Sequence, residues 1–300
     1  MALISPTYKP DFLIVGAGII GLSVALELKK QFSDSKITII DKEKNLGAHA
    51  SGRNSGVLHA GFYYSDNSLK AKLCRNGNNY WHSYCLEKKL KINQCGKLVI
   101  ARNEGEIDKL DELYRRGQKN GVELELITEK QAKEIEPNIN TFNKALFSPT
   151  TATIDPHEIL ASISKDVLNA NIEIIYNKKF LKKIENIIIT NSGRFEPGYL
   201  INASGLYADA IAREYNFSRE YKILPFKGLY LHAKNDALKL RTNVYPVPDL
   251  ENPFLGVHFT VTVDNETMIG PTAIPAFWRE NYSNLNNFNL NEFLEIISLE

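Results

Sequence analysis

The sequence predicts an α/β protein in which a doubly wound, parallel-sheet part is interleaved with a mixed-sheet α+β part. Three observations predict it. A short apolar strand runs through GAGIIG into a helix, and a second strand, KITII, ends at Asp41. Strand–turn–helix–strand is the first crossover of a parallel sheet. The strand-into-glycine pattern then returns in GYLINASG, residues 198–205, and beyond Pro225 the chain turns to β-like runs broken by proline and glycine.

In chain order, Phe12–Val15 is the first strand, and Ile20, Val24 and Leu28 fall at i, i+4, i+8 on one face of the helix that follows. KLVIA (97–101) reads as a strand. GEIDKLDELYRRGQKNG reads as an amphipathic helix with Ile107, Leu110 and Leu113 inward, stopped by Gly121. ALFSPTTATIDPHEILASISKDVLNA reads as a strand, a turn and a helix entered near Pro156. IEIIY and NIIIT are strands on either side of FLKKIE. FKGLYLHAK, NVYPVPDL, FLGVHFTVTVDN and TMIGPTA are the late β-like runs.

Composition narrows the function. With 300 residues, 43% hydrophobic and 24% charged, the chain has the make-up of a soluble globular protein of one large or two joined domains. A net charge of +1 gives no basic field for nucleic acid. No apolar run reaches a membrane span, and no basic-then-apolar segment predicts a secretory signal. Cys74, Cys85 and Cys95 are odd in number and never form C-x-x-C. They read as reduced thiols in a cytoplasm-like compartment, with no metal site expected.

The chemistry starts at GAGIIG. Gly16 permits the tight turn, Gly18 lets backbone approach a pyrophosphate, and Gly21 lets helix pack on strand. The helix N-terminus offers N–H groups to phosphate. Asp41, twenty residues past Gly21, is placed to accept hydrogen bonds from ribose hydroxyls. Three glycines in an ordinary turn are the bland alternative, but the strand, the helix and the terminal acid agree with each other. The match does not separate NAD from FAD, because both carry the same adenosine diphosphate half. SGRNSGVLHAGFYY (51–64) does. A flavin needs more covering chain, and glycines at 52, 56 and 61 allow close approach. Ser51, Arg53, Asn54 and Ser55 supply donors for phosphate oxygens and the ring's polar edge.

GAGIIG, DKE, SGRNSGVLHAGFYY and SLKAKLC together resemble the flavin-dependent D-amino-acid oxidase superfamily. The nearest branch is that of the L-2-hydroxyglutarate oxidases and dehydrogenases. QCGKLVIA, the Asp155-Pro156 region, INASGLYAD and YPVPDLENPFLGVHFTVTVDNETMIGPTAIPAFWRE extend that resemblance over nearly the whole chain. It implies a Rossmann-like FAD-binding part at 1–80 and 146–222, and a substrate part at 81–145 and 223–300. It implies FAD as cofactor and a small-molecule 2-hydroxy diacid as substrate, oxidised by hydride transfer to flavin N5. Oxygen or a quinone-linked chain would then take the electrons. It adds Ile20, Lys42, Phe180, Ala203, Ser204 and Gly205 to the expected cofactor contacts, and His59, His258 and Arg279 as catalytic or substrate-binding groups. A buried histidine bonded to backbone is the commoner fate of such a residue, and a solvated surface position is the commoner fate of a single cation. Lys70 and Lys227 are further candidate cations, while Tyr63 and Tyr64 read mainly as packing. The resemblance also implies a closing glycine segment that nothing after Arg279 matches, so weak FAD binding is expected. Cytoplasmic location, with peripheral contact at the inner membrane, is the expected setting. The rival readings are a glycine or amine oxidase, an NAD-linked dehydrogenase, and a dinucleotide-binding remnant without activity.

Overall fold

The structure is a computed structural model that describes residues 7–233, 238–249 and 256–298. The ends of the expected runs at Lys234 and Leu250, and the start at Phe254, lie outside the described residues. The chain divides into two compact units. The first comprises residues 1–54, 156–225 and 275–300, and the second 55–155 and 226–274.

The first unit is built on a four-stranded parallel sheet. Its order is Glu173–Ile175, Ile37–Ile40, Phe12–Val15, Tyr199–Asn202. Leu13, Ile14, Ile39 and Ile40 are fully buried, as strands covered on both faces require. Helices Ile19–Gln31 and Pro156–Asn169 pack on each other. Pro156 opens its helix, where a missing N–H costs nothing. A smaller sheet joins Thr7–Tyr8, Arg194–Phe195, Ile187–Thr190 and Phe180–Ile184. Its residues Ile188 and Phe195 close a core with Leu13, Val15 and Ile211. FLKKI is thus a strand, Phe180–Ile184, hairpinned through Glu185 to the next one.

The second unit holds a seven-stranded mixed sheet. Its order is Leu231–His232, Thr267–Gly270, His258–Val261, Asn243–Pro246, Lys97–Ile100, Lys144–Ser148, Glu125–Thr128. Lys97–Ile100 runs parallel to Asn243–Pro246 and antiparallel to Lys144–Ser148. Helix Ile107–Lys119 buries Leu110 and Leu113, and Gly121 ends it at φ +66°.

Three expectations change. The first helix buries Gly21, Leu22 and Ala25, while Ile20 is 65% exposed. Gly21 sets the close approach, because a Cβ there would meet Gly16 O, and Leu22 and Ala25 complete the buried face. Leu69–Lys88 is a twenty-residue helix capped by Ser68; its polar, glycine-containing sequence hides the periodicity. The division between units falls at 54/55 rather than near 80, and residues 275–300 belong to the first unit, not to the substrate part. The 51–64 stretch is therefore shared between the units.

Candidate active site

A cavity of about 360 Å³ opens in the first unit at the carboxyl ends of its parallel strands, where doubly wound sheets bind ligands. Gly16, Gly18, Asp41, Ser51, Phe180 and Ala203 line it, with Ser204 and Gly205. The glycines are required. Gly16 has φ +111°, and a Cβ there would lie 2.3 Å from Ala203 O. A Cβ on Gly21 would lie 1.9 Å from Gly16 O, and one on Gly18 would lie 2.9 Å from Ser51 Oγ. Ser51 Oγ accepts the Ile19 N–H at 3.1 Å, and its own hydroxyl proton can still be donated. The other first-turn N–H groups have no intrahelical partner and suit phosphate oxygens.

Asp41 accepts the Ala17 N–H at 2.7 Å on one oxygen and the Glu43 N–H at 2.8 Å on the other. A carboxylate offers about four lone-pair sites, so two stay open for a ribose diol. These features fit the adenosine diphosphate half of a dinucleotide.

Other predicted contacts are used differently. Arg53 donates to Ala48 O at 2.6 Å and lies over the Tyr282 ring. Asn54 donates to Ala50 O and Ser51 O. Both shape the loop and neither lines the cavity, and nor does Ile20. Ser55 belongs to the second unit. Lys42 lines the cavity, but its ammonium bonds Glu280 at 2.5 Å and Glu43, and faces His49 Nε2 at 3.0 Å. Burial alone would lower its pKa; the bonds to Glu280 and Glu43 win and hold it raised. Glu43, His49 and Glu280 bring ligand atoms within 4.8 Å of one another, and the Lys42 ammonium, bonded to both carboxylates, offsets one of their two charges. Tyr207 Oη donates to Glu280 at 2.7 Å.

Arg279 departs furthest from expectation. Its guanidinium makes a two-pronged bond to Asp209, at 2.6 and 2.9 Å, and donates to Leu206 O. Its side chain is only 5% exposed. A substrate clamp needs free N–H groups, and these are engaged within the first unit.

The second unit brings the two predicted histidines together. The His258 ring stacks on Tyr245 with centroids 3.7 Å apart, and His59 meets Tyr245 edge-on at 6.3 Å. His258 Nδ1 lies 2.8 Å from Gly256 O. A carbonyl only accepts, so Nδ1 carries the proton and Nε2 has a free lone pair. Burial pulls His258 down to about 4, with the Gly256 carbonyl opposing and Lys97 adding to the drop. Burial also pulls His59 down to about 3, helped by Lys97 and His258. His59 is deeply set although its rim still touches solvent. Both rings are neutral at pH 7, the state of a proton acceptor.

Sequence reasoning missed Lys97 and Tyr245. The available signal was a lysine heading the apolar strand KLVI. Of the other candidate cations, Lys70 lies over the Tyr64 ring at 5.0 Å, and Lys227 is half-buried on a two-residue strand.

A glycine-turn crevice lined by the acid that ends the second strand, in a chain that also carries a pair of buried histidines, fits a dinucleotide-dependent oxidoreductase. A family model described as FAD dependent oxidoreductase matches residues 11–297, and the chain belongs to that family. It is 36% identical over 315 aligned residues to the mitochondrial L-2-hydroxyglutarate dehydrogenase of Nematostella vectensis, covering 98% of this chain and 69% of that one. It is 34% identical to the L-2-hydroxyglutarate dehydrogenase of Escherichia coli (strain K12), covering 96% and 69%. Among solved structures, it is similar to dithionite-reduced L-alpha-glycerophosphate oxidase from Mycoplasma pneumoniae with FAD bound. That match has TM-score 0.81 and 25% identity, over 93% of this chain and 75% of that one. Glycine oxidase from Geobacillus kaustophilus matches at TM-score 0.76 and 22% identity, over 90% and 72%, and speaks to the fold alone. The cofactor is FAD, not NAD, and the chain is an FAD-dependent oxidoreductase.

Proposed function

We propose that the chain oxidises L-2-hydroxyglutarate to 2-oxoglutarate. The observation that carries this reading is the likeness, along 96–98% of the chain, to dehydrogenases named for that substrate. Bound FAD supplies the hydride acceptor. The chain's own residues supply the rest. Gly16, Gly18 and the helix that follows hold the pyrophosphate, and Asp41 holds the ribose. His258 Nε2 or the neutral His59 ring accepts the hydroxyl proton, a contribution typically worth about 10²–10⁴-fold.

The electron acceptor is oxygen or a quinone-linked carrier. The absence of a disulfide among Cys74, Cys85 and Cys95 supports a reducing, cytoplasm-like compartment. Among the described residues no helix is long and apolar enough to cross a membrane. An amine-oxidase reading shares the fold, but the glycine oxidase that the chain resembles is 22% identical, against 34–36% for the two hydroxyglutarate dehydrogenases.

Product analysis tests the reading. Purified protein with L-2-hydroxyglutarate should form 2-oxoglutarate, and with glycine it should form no glyoxylate. Glyoxylate from glycine, without oxidation of the hydroxy acid, would reverse the assignment.

A further inference from the structure

Lys97 opens a central strand of the seven-stranded sheet, paired with Asn243 on one side and Ser148 on the other. Its side chain is fully buried. Nζ lies 4.5 Å from the ring centroid of Phe62, 4.4 Å from Tyr63 and 4.8 Å from Tyr245. It has no hydrogen-bond partner among the described residues.

The groups around it repeat the pattern. Tyr63 Oη, Tyr245 Oη and Thr260 Oγ1 are also buried without a partner. Tyr245 Oη and Thr260 Oγ1 lie near each other, but no well-formed bond joins them.

A lysine ammonium has three donors and no acceptor, and a phenol or hydroxyl readily donates. This nest therefore holds unspent donors and a cation, and what it lacks is an acceptor carrying negative charge. Among the described residues, the ionisable groups facing Lys97 are His59, Tyr63, Cys74, Tyr245 and His258, with Cys95 and Tyr230 beside Tyr245. None is a carboxylate.

A packing role alone accounts poorly for this arrangement. Aromatic faces do attract a cation, but a buried charge without a counter-ion is costly, and methionine would fill the same cage without that cost.

We propose that Lys97 is the cation that anchors a carboxylate of the hydroxy-acid substrate, with the charge missing from the Phe62–Tyr63–Tyr245 cage arriving with the ligand. This rests on the functional reading above and assigns one of its binding groups. The cage covers Nζ, so the contact requires the flexible lysine stem or a neighbouring phenol to turn on binding.

The electrostatics agree with the geometry. Burial pulls Lys97 down to about 7, with Cys74 opposing, and the negative ring faces oppose it further. A carboxylate beside Nζ would raise it again, so binding near neutrality draws a proton onto Lys97. The charged lysine in turn keeps His59 and His258 low. The proton-accepting rings thus stay neutral while the substrate's charge is balanced elsewhere.

Calorimetric titration of the FAD-loaded protein with glutarate, which has both carboxylates and no hydroxyl to oxidise, tests the proposal without turnover. Titrations run in two buffers of different ionisation enthalpy report proton uptake. The expected result is uptake of a proton at about pH 8, with affinity falling up to about tenfold per pH unit above that. Lys97→Met should bind glutarate about tenfold to a hundredfold more weakly, without uptake, at unchanged FAD content and with a melting temperature no lower than the parent's. Binding to the parent with no proton uptake between about pH 7 and 9, or no binding at all, overturns the proposal even if the variant does not fold. So does a folded Lys97→Met that matches the parent. If the parent binds glutarate with uptake but leaves L-2-hydroxyglutarate unoxidised, the anchor stands and the substrate assignment falls. If it oxidises L-2-hydroxyglutarate and binds glutarate without uptake, the anchor falls alone.

Discussion

The ring of Tyr245 lies nearly flat on that of His258, with centroids 3.7 Å apart and planes 19° from parallel. With Nδ1 held by the Gly256 carbonyl, stacking leaves the imidazole one orientation and one free nitrogen. A base held in this way needs no reorganisation before it takes a proton.

His258→Asn should slow flavin reduction by about 10²–10⁴-fold while leaving FAD content unchanged. Rapid-mixing reduction under anaerobic conditions reads the rate. His59→Asn is the comparison. If both variants reduce at the parent's rate, neither histidine accepts the proton.

The same burial makes a stability prediction. His258 is depressed to about 4 in the folded state, against about 6.5 unfolded. Between those values the unfolded chain binds more protons, so stability is lost as pH falls through that window. The melting temperature should drop between about pH 6.5 and 4, less steeply in His258→Asn. An identical slope in the variant would mean that His258 is not buried neutral.

Asp41→Asn keeps one carbonyl oxygen for the turn and loses the charge that draws the ribose hydroxyls. FAD affinity should fall about tenfold to a hundredfold, a cost of about 1–3 kcal/mol. Reconstitution of apoprotein with FAD measures it. Undiminished affinity would remove Asp41 from the ribose site.

Arg279 should be structural. Arg279→Met leaves Asp209 buried without its two-pronged partner, and breaking such a pair costs about 3–5 kcal/mol. Denaturant unfolding should show a large loss, partly relieved by adding Asp209→Asn. A stable variant with only a raised KM would instead return Arg279 to the substrate pocket.

The glycines separate by what surrounds them. Gly21→Ala should abolish FAD binding, because a Cβ there meets Gly16 O at 1.9 Å. Gly77→Ala, on the helix Leu69–Lys88 with nothing within 4 Å, should stabilise by about 1 kcal/mol. Melting temperatures of the two variants check both signs.

What the sequence revealed follows from distance along the chain. GAGIIG and Asp41 lie within one crossover, so their spacing alone fixes strand, turn, helix and acid. Phe180 and Ala203 needed a family resemblance, because backbone contacts leave no side-chain code. Lys42 and Glu280 are 238 residues apart and meet only in the folded unit, which is why Lys42 read as a cofactor contact. Lys97 was legible only as the head of a strand, since nothing local marks a lysine whose cage comes from residues 62, 63 and 245. The helical stripe Ile20–Val24–Leu28 misled because the buried face is centred on Gly21, Leu22 and Ala25, where the glycine and alanine break the apolar periodicity.

The most direct test of the central claim is an anaerobic titration of the yellow, FAD-loaded protein with L-2-hydroxyglutarate, followed by visible absorbance. The account predicts that the flavin bands bleach, with one 2-oxoglutarate formed for each flavin reduced, and that the D-isomer and glycine leave them unchanged. Bands that persist with L-2-hydroxyglutarate but bleach with glycine would contradict it.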